Sequence, residues 1–477
     1  MSGAMPIAHA GASTGFPTTR APNSALAGWV LVDFALQPFH TLIVTFLFAP
    51  YFTNAVAPDP VSGQAWWGYA AAVAGVVIAL GGPILGAMAD RGSRKPMVAA
   101  AVLVMALASC LLWIARPGAD GTTILLVLAA FVIATAAAEY MTVFTNSLMP
   151  TLVPPSELGR LSGASWAVAY TGGLVALILM AGFIVSAPGS PTTLMGLSPI
   201  LTLDAGERQG DRLTGPFAAI WLLIFILPFF LFTPEPRARA SGPQGDREAP
   251  AKMSFSQPLK DLGATLKLLP SMPSMLYFLL ARALYTDGLS AVFVFGGIYG
   301  SSVFGWQIAE LGMFGIVLIV IGVAGATIGG FLDDRLGSKT VILAGLVVLM
   351  VGAVGILSVT QGHVLYTIPV APKTAGSAVF SSAGEQVFLL FAGLVALASA
   401  PTQSASRSLL ARLAPPDRTA QFFGLFAFSG KVTAFAAPLL IAVATQLSGS
   451  QRLGMATVLI FFIAGIALMM PVRERET

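Results

Sequence analysis

Two stretches decide the fold: Gly86-Ala-Met-Ala-Asp90-Arg91-Gly-Ser-Arg94-Lys95 and Gly330-Phe-Leu-Asp-Asp334-Arg335-Leu-Gly-Ser-Lys339. Gly, Asp, Arg and Lys recur at a single offset of 244 residues. A second pair follows in the same order. Pro154-Pro155 with Gly163 matches Pro415-Pro416 with Gly424, at an offset of 261. The extra 17 residues fit a longer loop around 361–383. The chain therefore reads as a duplicated unit in parallel orientation. The loop has readable physics. Its glycine lets a helix end approach a neighbour closely. Its Asp can cap the next helix or pair with an arginine. Its basic residues can hold the loop at anionic headgroups. Gly86, Asp90, Arg91, Arg94, Gly330, Asp334, Arg335 and Lys339 are thus candidate gating residues.

What flanks these loops is apolar. The 477 residues are 56% hydrophobic and 10% charged, with 50 Gly, 32 Pro and a mean hydropathy of +0.83. A soluble protein carries about 25% charged residues to wet its surface. A soluble enzyme is therefore excluded, and a multi-span membrane protein is expected. The net charge of +4 comes from scattered residues with no basic stripe, so no nucleic-acid partner is expected. Cys110 is the lone cysteine, and His9, His40 and His363 do not cluster. Neither a disulfide, a metal site nor a bound cofactor is expected. No Walker sequence supports direct ATP drive.

Twelve apolar segments reach the roughly 20 residues that a helix needs to cross a bilayer. They lie near 27–52, 65–88, 97–115, 122–149, 161–186, 215–233, 274–299, 307–331, 341–360, 384–410, 421–445 and 453–471. The first is too long for a signal-peptide core and reads as a span. This gives an all-α protein with a disordered tail at 1–24, six helices in 25–233, and a linker at 234–273. Six more helices fill 274–471, and a short tail follows at 472–477. The linker is expected to be mainly plain chain, with Leu259–Leu269 as a possible interfacial helix. With the N-terminus inside, 17 of the 25 Lys and Arg fall in inner segments, 5 in outer loops and 3 within spans. That bias places both termini in the cytoplasm.

The two Gly-x-x-x-Asp-Arg loops and the twelve-span duplicated layout resemble the major facilitator superfamily. Within it, several stretches are similar to the Atg22-like (UMF1) family. They are Trp29-Val-Leu-Val-Asp33-Phe-Ala with Phe48-Ala-Pro50-Tyr51-Phe52, Asn146-Ser-Leu-Met-Pro150, and Ser162-Gly-Ala-Ser-Trp166-Ala-Val-Ala-Tyr170-Thr-Gly-Gly173. The second half adds Ala281-Arg282-Ala-Leu-Tyr285-Thr-Asp287-Gly288, Gly297-Ile-Tyr299, and Phe422-Phe-Gly424 through Ser429-Gly430-Lys431. Ser93 stands where the superfamily pattern has Gly, and His40 and the long segment 187–214 lie outside the family pattern.

The resemblance implies a major facilitator fold with two parallel six-helix bundles. It also implies a secondary active transporter working by alternating access in a bacterial cytoplasmic membrane, with a monomer as the superfamily default. A small polar solute is implied, leaning to export of amino acids or small peptides, with proton coupling. Drug or amphiphile efflux, and sugar transport, are the alternatives within the fold. A non-transporting scaffold or receptor is the alternative outside it.

Ionisable groups at membrane depth are costly and mark functional positions. In the superfamily's fold spans one, four, seven and ten line the central cavity, and the polar residues here concentrate on those spans. Asp33, Gln37 and His40 are spaced four and three apart, on one helical face. Glu139 and Asn146 share a face of span four. Arg282 and Tyr285 share a face of span seven, with Asp287 turned roughly 140° from Arg282. Gln403 and Arg407 are four apart on span ten. All ten are candidates for binding solute or protons. Arg282 is the expected counter-ion for a solute carboxylate, because its planar fork matches two oxygens. Arg407 reads equally as a gate or a headgroup anchor. Lys431 reads as a structural charge paired within the second half.

Overall fold

A helix bonds its own backbone, so apolar segments of this length take that form in lipid. The computed structural model describes residues 16–186, 191–235, 256–306, 308–374 and 378–474. The expectations for 1–15, 187–190, 236–255 and 475–477 lie outside the described residues, among them Arg237, Arg239, Arg247, Lys252 and Arg475.

Among the described residues, eleven helices are long and apolar enough to cross a bilayer. In the first half they are α1 Asn23–Val56, α2 Pro60–Arg91, α3 Arg94–Ile114, α4 Gly121–Thr151, α5 Pro155–Ile184 and α6 Gln209–Phe232. A short helix, α7 Ser256–Leu268, follows. The second half has α8 Pro273–Phe304, α9 Glu310–Leu336, α10 Ser338–Leu357, α11 Ala383–Leu413 and α14 Gln451–Met469. Between the last two lie the shorter apolar helices α12 Thr419–Ser429 and α13 Ala436–Ser448.

The structure departs from these expectations, or adds to them, in four places. The span read at 421–445 is broken, because residues 430–435 form turns between α12 and α13. The linker is not plain chain at its end. There α7 docks on α12, with Thr265 Oγ1 donating to Gln421 Oε1 at 2.9 Å and accepting from Arg418 Nη1 at 3.2 Å. The long outer segment is bonded where it is described, as in Leu194 N to Ala181 O and Ile200 N to Phe183 O. The chain is also not wholly helical. His363–Val364 pairs antiparallel with Ile368–Pro369 in the loop after α10.

α1 changes winding at Pro38, which brings no N–H to the ladder. A wide π turn follows at Phe39–Phe46. Thr45 Oγ1 donates to the His40 carbonyl there, at 2.9 Å.

Within the first half α1 packs on α5 and α6, and α4 on α3 and α2. Within the second, α10 packs on α11 and α8 on α14. The two most extensive crossings between the halves are α2 with α12 and α5 with α9. Both are made by glycine. A Cβ on Gly424 would fall on the Gly82 carbonyl, and one on Gly86 on the Ala420 carbonyl. A Cβ on Gly163 would sit 2.7 Å from Gly330 Cα. Only glycine allows backbones this close.

The repeated loops meet at one end of the molecule, called here the motif end. Asp90 accepts from the backbone N–H of Ala420 and Gln421, both at 2.8 Å, and from Arg94 Nη2. Asp334 accepts from the Gly159 N–H at 2.8 Å, the Arg160 N–H, and Arg160 Nε at 2.7 Å. Each aspartate therefore caps a helix of the opposite half, not the next helix in its own. The basic residues are also used internally. Lys95 Nζ donates to Phe230 O at 2.9 Å and Lys339 Nζ to Met470 O at 2.6 Å. Arg91 and Arg335 are exposed. A further matched pair was not read from the sequence. Glu235 accepts from the N–H groups of Arg94 and Lys95, and Glu474 from the N–H of Lys339.

At the other end, Lys373 holds the outer loop to two helix starts, through Glu310 at 2.5 Å and Glu385 at 3.0 Å. Glu385 is fully buried, also accepts from Trp306 Nε1, and completes a capping box with Ser382. Burial works against the ammonium, but the two carboxylates outweigh it and hold Lys373 above its ordinary range. A raised pKa means the contribution is full below lysine's ordinary value and fades as pH climbs through the raised one. Lys373→Met should lower stability by about 2 kcal/mol by leaving Glu385 short of a cation. A melting temperature equal to that of the parent would show that the cluster contributes nothing.

Candidate functional site

Above the motif-end crossings the two sets of helices separate around two stacked cavities. The nearer one, about 390 Å³, is polar and lies between α1, α4 and α5 on one side and α8, α11 and α12 on the other. Asp33, Gln37, His40, Glu139, Asn146, Arg282, Gln403 and Arg407 all line it. These are eight of the ten candidates. The second cavity, about 970 Å³, is mostly apolar, walled by residues such as Phe46, Tyr170, Phe293 and Phe314. Gln37 and His40 line both, so the π turn after Pro38 sits at their junction.

The floor of the polar chamber is a bonded cross-link between the halves. Arg407 Nη1 donates to Asp33 Oδ2 at 2.8 Å and Asn146 Oδ1 at 3.2 Å. Its Nε donates to Ser162 Oγ at 2.9 Å and its Nη2 to Ser162 O at 2.8 Å. The guanidinium also lies 5.1 Å from the Trp29 ring centroid. With 4% exposure, Arg407 is no headgroup anchor. Beneath it, Arg412 Nη1 donates to Asp333 at 2.9 Å and to Ser338 Oγ, and Nη2 reaches Pro155 O.

A second cross-link spans the chamber higher up. Lys431 Nζ lies 3.1 Å from Glu139 Oε1. The expected partner lay in the second half, but the turn at 430–435 swings Lys431 out of the helix line and across to α4. At this end of α12, Arg282 Nη1 donates to Phe426 O at 2.5 Å, which also accepts from the Gly430 N–H, and to Ser429 Oγ at 3.0 Å. Its guanidinium stacks 3.4 Å from the Phe426 ring centroid. Among the described residues Arg282 has no carboxylate within ion-pairing distance, so its positive charge is left for something else.

Two candidates fall elsewhere. Tyr285 is fully buried, shares a hydrogen bond with Ser406 Oγ at 2.7 Å, and packs on Gly465, away from the chamber. Asp287 is buried behind the chamber wall. The helical spacing that separates Asp287 from Arg282 predicts this. Sequence reading passed over Thr286, Ser290 and Phe426, which line the chamber together with Trp166. Thr286 and Ser290 lie four and eight residues after Arg282, on its face of α8, and that spacing was the available signal.

The family model described as "Vacuole effluxer Atg22 like" matches residues 60–476. The chain belongs to that family. It is 24% identical over 452 residues to the uncharacterized MFS-type transporter YxiO of Bacillus subtilis (strain 168), covering 94% of this chain and 95% of that one. Solved structures with the same fold include the proton:xylose symporter XylE bound to 6-bromo-6-deoxy-D-glucose, at a TM-score of 0.68 and 12% identity over 94% and 95% of the two chains. FucP in the outward conformation matches at 0.65 and 15% identity, over 94% and 98%. This member of the Atg22-like family is an all-α multi-span membrane protein of the major facilitator fold, in a family of transporters and not of enzymes.

Proposed function

We propose that this Atg22-like protein is a secondary active transporter of a small zwitterionic solute of the amino acid class. It works by alternating access of the polar chamber, with proton coupling. The observation that carries this reading is the unequal use of charge in the chamber. Asp33 and Glu139 are each matched by a cation, while Arg282 is not matched by a carboxylate. A solute carboxylate completes that set, because a planar guanidinium with spare capacity recognises two oxygens. The solute's ammonium then meets Glu139, in competition with Lys431.

The conformation supports alternating access between two six-helix halves. The motif end is closed by glycine crossings, aspartate caps and the Arg407 network, and the larger cavity lies beyond the chamber from that seal. The charge bias of the loops assigns the motif end, with both termini, to the cytoplasm. The structure is then the outward-open state, and the solute leaves the cell through the apolar cavity.

The test is flux into and out of proteoliposomes with a panel of amino acids, sugars and cationic amphiphiles, with and without a pH gradient. Gradient-dependent amino acid flux is expected. Arg282→Ala should reduce it by more than tenfold, since a lost charged hydrogen-bond pair costs about 2–3 kcal/mol. Full carboxylate-dependent flux in that variant, or flux of sugar or amphiphile alone, would reject the assignment.

A further inference from the structure

Asp33 and Glu139 are neutralised by cations, but a third acid in the membrane is not. Asp287 on α8 is 3% exposed, and its Oδ2 has no hydrogen-bond partner. Among the described residues it takes part in no ion pair. An ionised carboxylate with neither water nor a cation would cost several kcal/mol or more.

Asp287 faces the Thr433 hydroxyl in the turn between α12 and α13. That hydroxyl lies 3.1 Å from the Ala283 carbonyl and has a single proton to give. When the proton goes to Ala283, the contact with Asp287 closes only with a protonated acid as donor. The surrounding charged and titratable groups are already engaged. On α8, Arg282 is bonded to Phe426 O and Ser429, and Tyr285 to Ser406. Lys431 in the turn is paired with Glu139 across the chamber, and Arg407 on α11 with Asp33. On α14 the side facing Gly288 is Phe461 and Phe462. On α10 the ionisable residue is Lys339, at the motif end.

The next residue toward the N-terminus, Thr286, lines the polar chamber, and its Oγ1 is buried without a partner. We propose that Asp287 is the proton-carrying group of the transport cycle, protonated in this conformation and exchanging its proton with the chamber beside Thr286. This rests on the transport reading above. The step is a simple protonation. A proton from chamber water bonds to a carboxylate oxygen, and on release it returns to water and leaves the carboxylate. Ionised Asp287 then competes with Glu139 for Lys431, two residues from Thr433. Loading and release of the proton are thereby linked to the cross-link between the halves.

The test is infrared pH-difference spectroscopy on the full-length protein in lipid, with protons as the only added ligand. Wild type should show a carboxylic-acid band that is lost on alkalinisation. Asp287→Asn should lack it, and Asp287→Glu should restore it at a shifted frequency. In proteoliposomes, Asp287→Asn should lose accumulation driven by a pH gradient. A wild type without a titrating acid band, an unchanged band in Asp287→Asn, or undiminished gradient-driven accumulation in that variant would overturn the assignment. If no solute in the panel is moved, the transport reading fails while the infrared result still decides the state of Asp287.

Discussion

Arg407→Ala abolishes solute flux and lowers the melting temperature. The side chain gives four hydrogen bonds to three residues of the first half, Asp33, Asn146 and Ser162, although it belongs to the second. Its removal leaves Asp33, which keeps only its bond from Ser165 Oγ, without a cation and the Ser162 carbonyl without this donor at the seal between the halves. Breaking a buried pair in this way costs about 3–5 kcal/mol, since the surviving charge is left uncompensated. Lysine is a poor substitute, because one ammonium cannot reach acceptors that the guanidinium fork contacts from three nitrogens. Adding Asp33→Asn to Arg407→Ala should recover much of the lost stability, because no uncompensated charge remains. It should not recover flux, because the closed motif end still lacks its cross-link. Thermal unfolding and proteoliposome flux on the single and double variants check this. Wild-type flux in Arg407→Ala would remove the residue from the gate.

Gly424→Leu blocks the cycle by a different route. Any Cβ at this position meets the Gly82 carbonyl, and a leucine would need the volume that α2 occupies. Overpacking at a close contact costs about 1–3 kcal/mol, and here that cost applies only when the motif end is closed. A penalty on one of two conformations shifts the population toward the other. The variant should fold, insert and stay open at the motif end, with flux lost. The Asp90 caps on Ala420 and Gln421 should be broken in the same variant, because they lie one turn away on α12. Gly163→Leu should act equivalently at the α5–α9 crossing. Labelling of a cysteine introduced at the motif end of a Cys110→Ser background reads the shift, and unchanged labelling together with normal flux would contradict it.

The repeat was legible because charge is rare in this chain. Asp, Arg and Lys at one offset stand out against apolar flanks, and the folded molecule uses both copies for one purpose. The chamber was legible because polar residues at helical spacing fall on the four spans that the resemblance to the superfamily places around a central cavity. Partner choice was not legible. Arg407 and Asp33 are 374 positions apart, and helical periodicity says which way a side chain faces but not what it meets. Arg282 was read as the counter-ion of a solute carboxylate, and nothing in its spacing showed that its Nη1 would meet Phe426 O and Ser429 Oγ at the end of α12. The break itself was hidden, since Gly430 and Lys431 sit within an apolar run of ordinary length. The Glu235 and Glu474 caps had a signal that was overlooked, an acid just beyond the last span of each half. Pro38 is a visible break signal within the first span, and the wide turn begins directly after it.

The central claim is that one polar chamber faces opposite sides of the membrane in turn, as the glycine crossings open and close. Spin-label distances measure this most directly. In a Cys110→Ser background, one pair of labels at positions 92 and 417 reports the motif end, and a second pair at 61 and 447 reports the opposite end. We predict two populations for each pair, shifting in opposite directions when pH or a transported amino acid is changed. Distances that stay fixed, or that widen and narrow together at both ends, would contradict the account.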